Sequence, residues 1–484
     1  MSLSILVWVP LAAAAVGLLV PGAGSRFAGI PGAAAACVLA IVTVFRFKTG
    51  ATGLQFVTDE TWISELGIHY KLGVDGLNLF LILLATVLFL ASTIWASLTE
   101  WERPGLFFFW FGLAESGVLG ALMAQDLALF VIFFDLMLVP FLFLTGSWGG
   151  IGRVPAIIKL FIYTLVGSLL MLSAAIATGV LAPGNGITFV LSDLATRKLP
   201  VGSQEWIFLF FAAAFLVKMP AFPLHGWMPD GYRAMPLPVL AVFSGVLSKV
   251  AAYGFLRVVI PLYPDASVHF QELMLLIALA SILYGSAMAF TTTHTRLILG
   301  YSSVAQLGFI VLGIFSLRPE GAQGAIIQAV NHGLVVAPAF FVVGLLAARA
   351  GGSEDIRHMG GIAFRAPVLA TLFLIVTFAL LAMPGSSNFV GEFLILLGVF
   401  KAKIVIAIVA FTGVVLASVY MLRMFIRTMH NREGPRVSGS EMAIGDAVVI
   451  VPLVLAILAF AFYPQAALDA SEPAVKTAVQ EVVR

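Results

Sequence analysis

The sequence predicts an all-α integral membrane protein, on three observations. Of its 484 residues, 61% are hydrophobic and 10% are charged, whereas soluble domains carry about 25% charged residues. The mean hydropathy is +1.08. The apolar residues also stand in continuous runs near the length of about 20 residues that crosses a bilayer. The net charge of +2 favours neither nucleic acid nor an acidic soluble partner, so the expected surroundings are lipid and other membrane chains.

These runs place about 14 transmembrane helices along the chain. The connection over 47–74 mixes polar and apolar residues, which predicts an interfacial amphipathic element or a hairpin. The N-terminal run lacks the basic region of a signal peptide, so a retained first helix is expected, with a cleaved signal as the alternative. The candidate spans fall near 3–22, 28–46, 75–98, 105–124, 127–147, 156–182, 206–228, 237–263, 271–290, 296–316, 322–349, 366–400, 403–428 and 442–463.

Two of the predicted helices contain breaks, helix seven at Met219-Pro220 and helix twelve at Met383-Pro384. Interrupted helices at corresponding positions indicate an inverted repeat with its site at the breaks. Since the breaks lie five helices apart, helices 4–8 and 9–13 are the predicted units. The expected divisions are N-terminal helices over 1–100, the two repeats over 101–265 and 266–430, and a last helix with its tail over 431–484.

Lys218 is the most informative ionisable residue, because it lies between the uncharged run WIFLFFAAAFLV and the proline-rich MPAFPLHGWMPD. A charge at membrane depth costs several kcal/mol and usually faces protein or a water path. A helix broken at that depth is tolerated only where its backbone is buried in protein or lines a cavity. We therefore expect an ion pathway. Its main candidates are Asp135, Lys218, Lys249, His332 and Glu392, and its secondary candidates are Glu115, His225 and Asp230.

Lys218 and Asp135 form the first hypothesis, since moving a carboxylate relative to a buried ammonium changes how tightly the lysine holds its proton. The alternative is a static salt bridge between helices five and seven. Lys249 and Glu392 are expected to relay protons, with snorkelling and a structural hydrogen bond as their respective alternatives. His332 could connect them, because histidine titrates near neutral pH, or it could be a satisfied core residue.

No sequence motif indicates redox or hydrolytic chemistry. The sequence contains no Walker loop, no CxxC and no HExxH. Its only cysteine, Cys37, cannot hold an iron–sulfur cluster and is expected to be a small buried residue. The chain is thus expected to move charge without a cofactor of its own.

The chain resembles the antiporter-like membrane subunits of NADH:quinone oxidoreductase (respiratory complex I), most closely the M-type chains, the subunit 4 group. Its length favours the M or N type over the L type, which has a long C-terminal lateral helix. The resemblance covers nearly the whole chain. The stretches that carry it are LGVDGLNLFLILLATVLFL (72–90), DLALFVIFFDLMLVPFLFLTGSWGG (126–150), VKMPAFPLHGWMPD (217–230), GVLSKVAAYGFLR (245–257), LGYSSVAQLGFIVLGIF (299–315), PGSSNFVGEFLILLGVF (384–400) and SVYMLRMFIR (418–427).

The resemblance implies a proton-translocating subunit whose proton-transfer groups fall on Asp135, Lys218, Lys249, His332 and Glu392. It also implies that NADH, FMN, iron–sulfur clusters and quinone belong to partner subunits, and that neighbouring antiporter-like chains are the main partners. We expect a multi-pass protein of a bacterial plasma (inner) membrane. The modest excess of Lys and Arg after odd-numbered helices places both termini outside.

The sequence departs from the family pattern at several positions. Asp135 replaces the usual glutamate, Thr295 replaces a basic residue and Gln306 replaces a histidine, so water would have to serve at that relay station. Pro338 is expected to interrupt helix eleven. Two other functions remain open: a subunit of an Mrp-type cation/proton antiporter, and an assembly scaffold whose charges only tie helices together.

Overall fold

The computed structural model describes residues 2–20, 22–184 and 186–482. It is almost entirely helical, which confirms the predicted fold class, and within the described ranges 12 helices are long and apolar enough to cross a membrane. Two shorter apolar helices, Leu3–Gly17 and Pro367–Leu380, accompany them. The total of fourteen and the inverted repeats stay predictions. The 12 helices are Gly24–Arg46, Leu79–Ser97, Pro104–Met123, Leu127–Trp148, Arg153–Leu181, Val201–Lys218, Leu237–Leu262, Gln271–Thr291, Thr295–Ile314, Pro319–Arg349, Ile404–Met429 and Ile444–Phe462.

The segment 47–74 forms an antiparallel hairpin of strands β1 (Gln55–Ile63) and β2 (Ile68–Val74). Gly67 makes the turn with φ +61, and a Cβ there would lie 2.2 Å from the Ile187 carbonyl oxygen. Glycine is therefore required for both its conformation and its size. Of the two forms predicted for this segment, the structure has the hairpin.

Both predicted helix breaks are present. Val201–Lys218 ends at Lys218, and Met228–Ala234 resumes after an irregular stretch. Pro367–Leu380 likewise stops before Ser387–Ala402 begins. The remaining α-helices are shorter: Leu191–Thr196, Pro264–His269, Ile362–Arg365 and the C-terminal Gln465–Val479.

Two interruptions were not expected from the sequence. Predicted helix five is divided into Leu127–Leu136 and Val139–Trp148, because Pro140 has no N–H to donate four residues back. The helix over Leu237–Leu262 contains two π-turns, at Phe243–Leu247 and Phe255–Val259.

The expected interruption at Pro338 is wrong, because helix Pro319–Arg349 runs through it. Nearly all of this helix is buried inside the protein, and neighbouring helices can support a proline-containing segment at such depth. Helices Leu237–Leu262 and Thr295–Ile314 are wholly buried beside it, whereas Arg153–Leu181 and Ile404–Met429 are only one-third buried. The centre of the molecule is thus formed by the helices that carry Lys249, Gln306 and His332.

Candidate functional site

Lys218 and Asp135 are in direct contact. Lys218 Nζ lies 3.0 Å from Asp135 Oδ1 and also donates to the Phe134 carbonyl oxygen at 3.1 Å. The ammonium stands 3.8 Å from the centroid of the Phe134 ring, a cation–π distance. A buried ammonium therefore has an anion, a carbonyl and a ring face as partners, which lowers the cost of placing it at membrane depth.

Two helix ends create this contact. Lys218 is the last residue of Val201–Lys218, and Asp135 and Phe134 lie at the end of Leu127–Leu136. The last carbonyls of a helix have no partner within it, so the Phe134 carbonyl is free to accept from Lys218. The unexpected break after Asp135 is therefore part of the site. Pro140 in the run VIFFDLMLVPF was the signal that could have revealed it.

The two members of the pair differ in exposure. The Lys218 side chain is 3% exposed, whereas that of Asp135 is 35% exposed. Ser168, which sequence reasoning missed, donates to Asp135 Oδ1 at 2.5 Å from helix Arg153–Leu181. Asp135 thus has a second partner outside the protein centre, and the hydroxyl can hold the carboxylate if Lys218 withdraws.

Lys249 is buried between the two π-turns of its helix, and its Nζ donates to the Ser244 carbonyl oxygen at 2.6 Å. It has no carboxylate partner among the described residues. π-turns inside α-helices frequently occur at functional sites. Because an ammonium without a counter-ion is costly in a protein interior, this lysine is suited to exchange a proton.

His332 is fully buried, and neither of its ring nitrogens has a hydrogen-bond partner within the described part of the chain. Its helix packs tightly against that of Lys249, since a Cβ on Gly333 would lie 2.4 Å from the Gly245 carbonyl oxygen. Lys249 lies within electrostatic range of His332. Buried polar atoms normally have partners, so the two free nitrogens are available to water or to a passing proton.

Glu392 lies just after the second break, in a cluster of amides. Its Oε1 accepts from Gln306 Nε2 at 2.7 Å, and Gln328 Nε2 donates to Gln306 Oε1 at 2.8 Å. Gln306, Gln328 and Glu392 come from three different helices. Gln328 was missed because a neutral amide carries no charge signal within a span. At the break itself, Asn331 Nδ2 donates to the Ser387 carbonyl oxygen at 2.6 Å.

The secondary candidates lie apart from these groups. Glu115 is buried against the first helices, beside Pro10 and Thr93. His225 follows the first break and packs on Tyr284, with ring centroids 4.8 Å apart. Asp230 forms a half-exposed ion pair with Lys159 at 2.6 Å.

Some of the predicted groups are therefore in direct contact, and others make no direct hydrogen bond with one another among the residues described. Asp135 contacts Lys218, and the helices of Lys249 and His332 pack closely where Gly333 meets Gly245. Among the residues described, no direct hydrogen bond links Lys218 to Lys249 or His332 to Glu392. Water can bridge polar groups that do not touch.

Buried titratable groups beside broken helices define a class of charge-translocating membrane subunit. The chain belongs to the NADH:quinone oxidoreductase/Mrp antiporter transmembrane family, whose model matches residues 124–417. It is 35% identical to NADH-quinone oxidoreductase subunit M of Rhodobacter capsulatus, over 99% of this chain and 96% of that protein.

Solved structures of related membrane complexes also contain chains with this fold. A chain of respiratory complex I from Thermus thermophilus superimposes with a TM-score of 0.92 at 31% identity, covering 100% of both chains. A chain of the Mrp complex from Dietzia sp. matches with a TM-score of 0.85 at 21% identity, over 100% of this chain and 99% of that one. At that identity the second likeness concerns the fold alone.

Proposed function

We propose that this chain is the M-type proton-translocating membrane subunit of an NADH:quinone oxidoreductase. The observation that carries the proposal is the Lys218–Asp135 contact at the junction of two helix ends. A shift of either helix end changes the distance between the charges, and with it the proton affinity of the lysine. The relatives named subunit M support the assignment to this complex.

The proposed proton route uses these groups in their order along the chain. Protons enter near Lys218, pass to Lys249 and His332, and leave by way of Glu392. The contact of Lys218 with Asp135 and the proximity of Lys249 to His332 support the first half of this route. The Gln306–Glu392 hydrogen bond supports a carboxyl that is held in one orientation at its end.

The chain requires partners for energy input. NADH, FMN, iron–sulfur clusters and quinone would be held by other subunits, and neighbouring antiporter-like chains would transmit the coupling. The location is the plasma (inner) membrane of a bacterium, with both termini outside and the Arg-rich loops in the cytoplasm. The divisions at residues 100, 265 and 430 belong to the same proposal.

The test is Lys218→Ala in the whole complex, reconstituted into liposomes. We expect assembly and NADH oxidation to persist while coupled proton pumping is lost. Lys198→Ala is the matched control, since Lys198 forms an exposed pair with Glu481 at 2.9 Å. Full pumping by an assembled Lys218→Ala complex would refute the role. A scaffold predicts instead that Asp135→Asn impairs assembly before transport.

The second candidate is a subunit of an Mrp-type cation/proton antiporter, favoured by the fold likeness to the Mrp complex. Sodium dependence distinguishes the two. Proton movement that requires Na⁺ and continues without NADH oxidation supports the antiporter, whereas movement that stops without NADH supports the oxidoreductase.

A further inference from the structure

Lys249, Tyr253 and Arg257 follow one another at intervals of four residues on helix Leu237–Leu262. In the α-helical segment Ser248–Gly254 this spacing places Lys249 and Tyr253 on one helix face. Arg257 Nε donates to the Tyr253 hydroxyl at 3.0 Å, so these two side chains do meet. The face that carries Lys249 therefore continues, through a fully buried tyrosine, to an arginine nearer the helix end.

Arg257 lines a cleft of about 240 Å³, together with Lys71 of the hairpin, Gln125 and Thr477 of the C-terminal helix. The cleft lies at the hairpin face of the molecule. Leu256 and Arg257 of this helix line the cleft, and at the four-residue spacing only Tyr253 stands between Lys249 and Arg257. Lys249 thus lies about two helix turns from an opening whose lining includes Lys71, Gln125 and Arg257, which is a potential leak.

Arg257 is held in place at the base of this cleft. Its Nη2 pairs with Asp75 Oδ2, and the two side chains are 14% and 9% exposed. Asp75 is itself fixed, because its Oδ1 accepts from the Leu77 amide at 2.9 Å and its own amide donates to Asn78 Oδ1 at 2.9 Å. The guanidinium cannot move without breaking this network.

We propose that Arg257 is an electrostatic closure that prevents protons from passing between Lys249 and the hairpin-face cleft. A guanidinium does not release its proton, so it cannot relay one. An arginine at a constriction can exclude protons and other cations from membrane pores, and the pair with Asp75 holds the Arg257 guanidinium at this point. With this side closed, a proton that reaches Lys249 from Lys218 proceeds toward His332 and Glu392. The inference rests on the proposed function, and Arg257 acts here as a positioning residue.

The test measures passive proton permeability, which a purely structural ion pair would not control. Liposomes containing the complex are given a potassium diffusion potential with valinomycin, without NADH, and internal pH is followed with pyranine. We expect Arg257→Gln to raise proton influx on the order of tenfold, equivalent to about 1.4 kcal/mol of barrier. Arg257→Lys keeps the charge and should leak less than Arg257→Gln. Lys71→Gln, at the same cleft but paired with Asp59 at 2.8 Å, is the control.

Arg257→Gln leaves Asp75 buried without its partner, which can prevent folding. The double variant Asp75→Asn/Arg257→Gln removes both charges and should leak as well. Wild-type permeability in either assembled glutamine variant overturns the proposal, and so does equal leakage by Arg257→Lys. The proposed function can fail separately, because full pumping by Lys218→Ala would not alter a leak measured without NADH.

Discussion

Gln306 Nε2 donates a hydrogen bond to Glu392 Oε1 at 2.7 Å, so the carboxyl after the second helix break is held by an amide from another helix. Gln306 occupies the position where the family usually has a histidine. Its other amide atom accepts from Gln328, so the glutamine is fixed on both sides. A residue that cannot carry a proton therefore orients one that can.

Replacing Gln306 tests this orienting role. Gln306→Leu has nearly the same volume but removes both hydrogen bonds, leaving Glu392 without its closest donor. Since an unsatisfied buried group costs about 1–3 kcal/mol, we expect reduced pumping and lower thermal stability. Gln306→His keeps a donor and should retain pumping. The measurements are protons moved per NADH oxidised and the melting temperature of the complex. Unchanged pumping in Gln306→Leu would show that the hydrogen bond has no role in transport.

Substitutions of Lys249 test whether transport needs only its positive charge or also its ability to release a proton. Lys249→Arg keeps a positive charge at the same position, but arginine does not give up its proton. If Lys249 relays protons, pumping should fall sharply while NADH oxidation and assembly remain. If its charge is only structural, Lys249→Arg should pump and Lys249→Met should not. Proton uptake by liposomes containing each variant, normalised to assembled complex, decides between the two.

The sequence predicted those features that a recognisable residue type marks. Pro220 and Pro223 marked the break after Lys218, and charged residues within apolar runs marked Asp135, Lys249 and Glu392. The pairing of Lys218 with Asp135 was a hypothesis with a static salt bridge as its alternative, because nothing in the sequence shows whether residues 83 positions apart touch, and the structure shows that they do.

Other features were missed for physical reasons. The π-turns on either side of Lys249 have no characteristic residue that marks them in the sequence. Gln328 is neutral, so nothing in the sequence separated it from ordinary polar residues within helices. Pro338 was expected to break its helix, but local propensity was overridden by the packing of a helix that is buried on all sides.

Gly333 fixes the approach of the helices that carry Lys249 and His332. A Cβ at this position would lie 2.4 Å from the Gly245 carbonyl oxygen and 2.6 Å from Leu84 Cδ2. Gly333→Ala should therefore force the helices apart and destabilise the protein by about 1–3 kcal/mol. Gly202→Ala is the control, because no atom lies within 4 Å of the added Cβ. Thermal unfolding in detergent compares them, and equal melting temperatures would contradict the close approach.

The hydrogen bonds of Asp355 are expected to stabilise the loop before helix Pro367–Leu380 at neutral pH and to be lost in acid. The hydrogen bonds from Arg357 lower the pKa of Asp355 to about 2, and Thr293 Oγ1 also donates to it at 3.1 Å. Since the folded pKa lies below the usual value of about 3.9, the stabilisation is complete above pH 4 and is lost as pH falls toward 2. Hydrogen exchange of the amides over 353–358 should be slow at pH 5 and faster than the intrinsic pH dependence predicts near pH 2.

Arg357→Gln removes the main cause of this shift, so the extra exchange should begin at higher pH than in the unmodified chain. Arg365→Gln is the matched control, because Arg365 pairs with Glu433 at 2.9 Å at a different point of the same region. It should leave the exchange of the Asp355 segment unchanged. If Arg357→Gln and the unmodified chain lose protection at the same pH, the arginine does not set the titration of Asp355, and the loop must be held by the Thr293 contact and its backbone pairing instead.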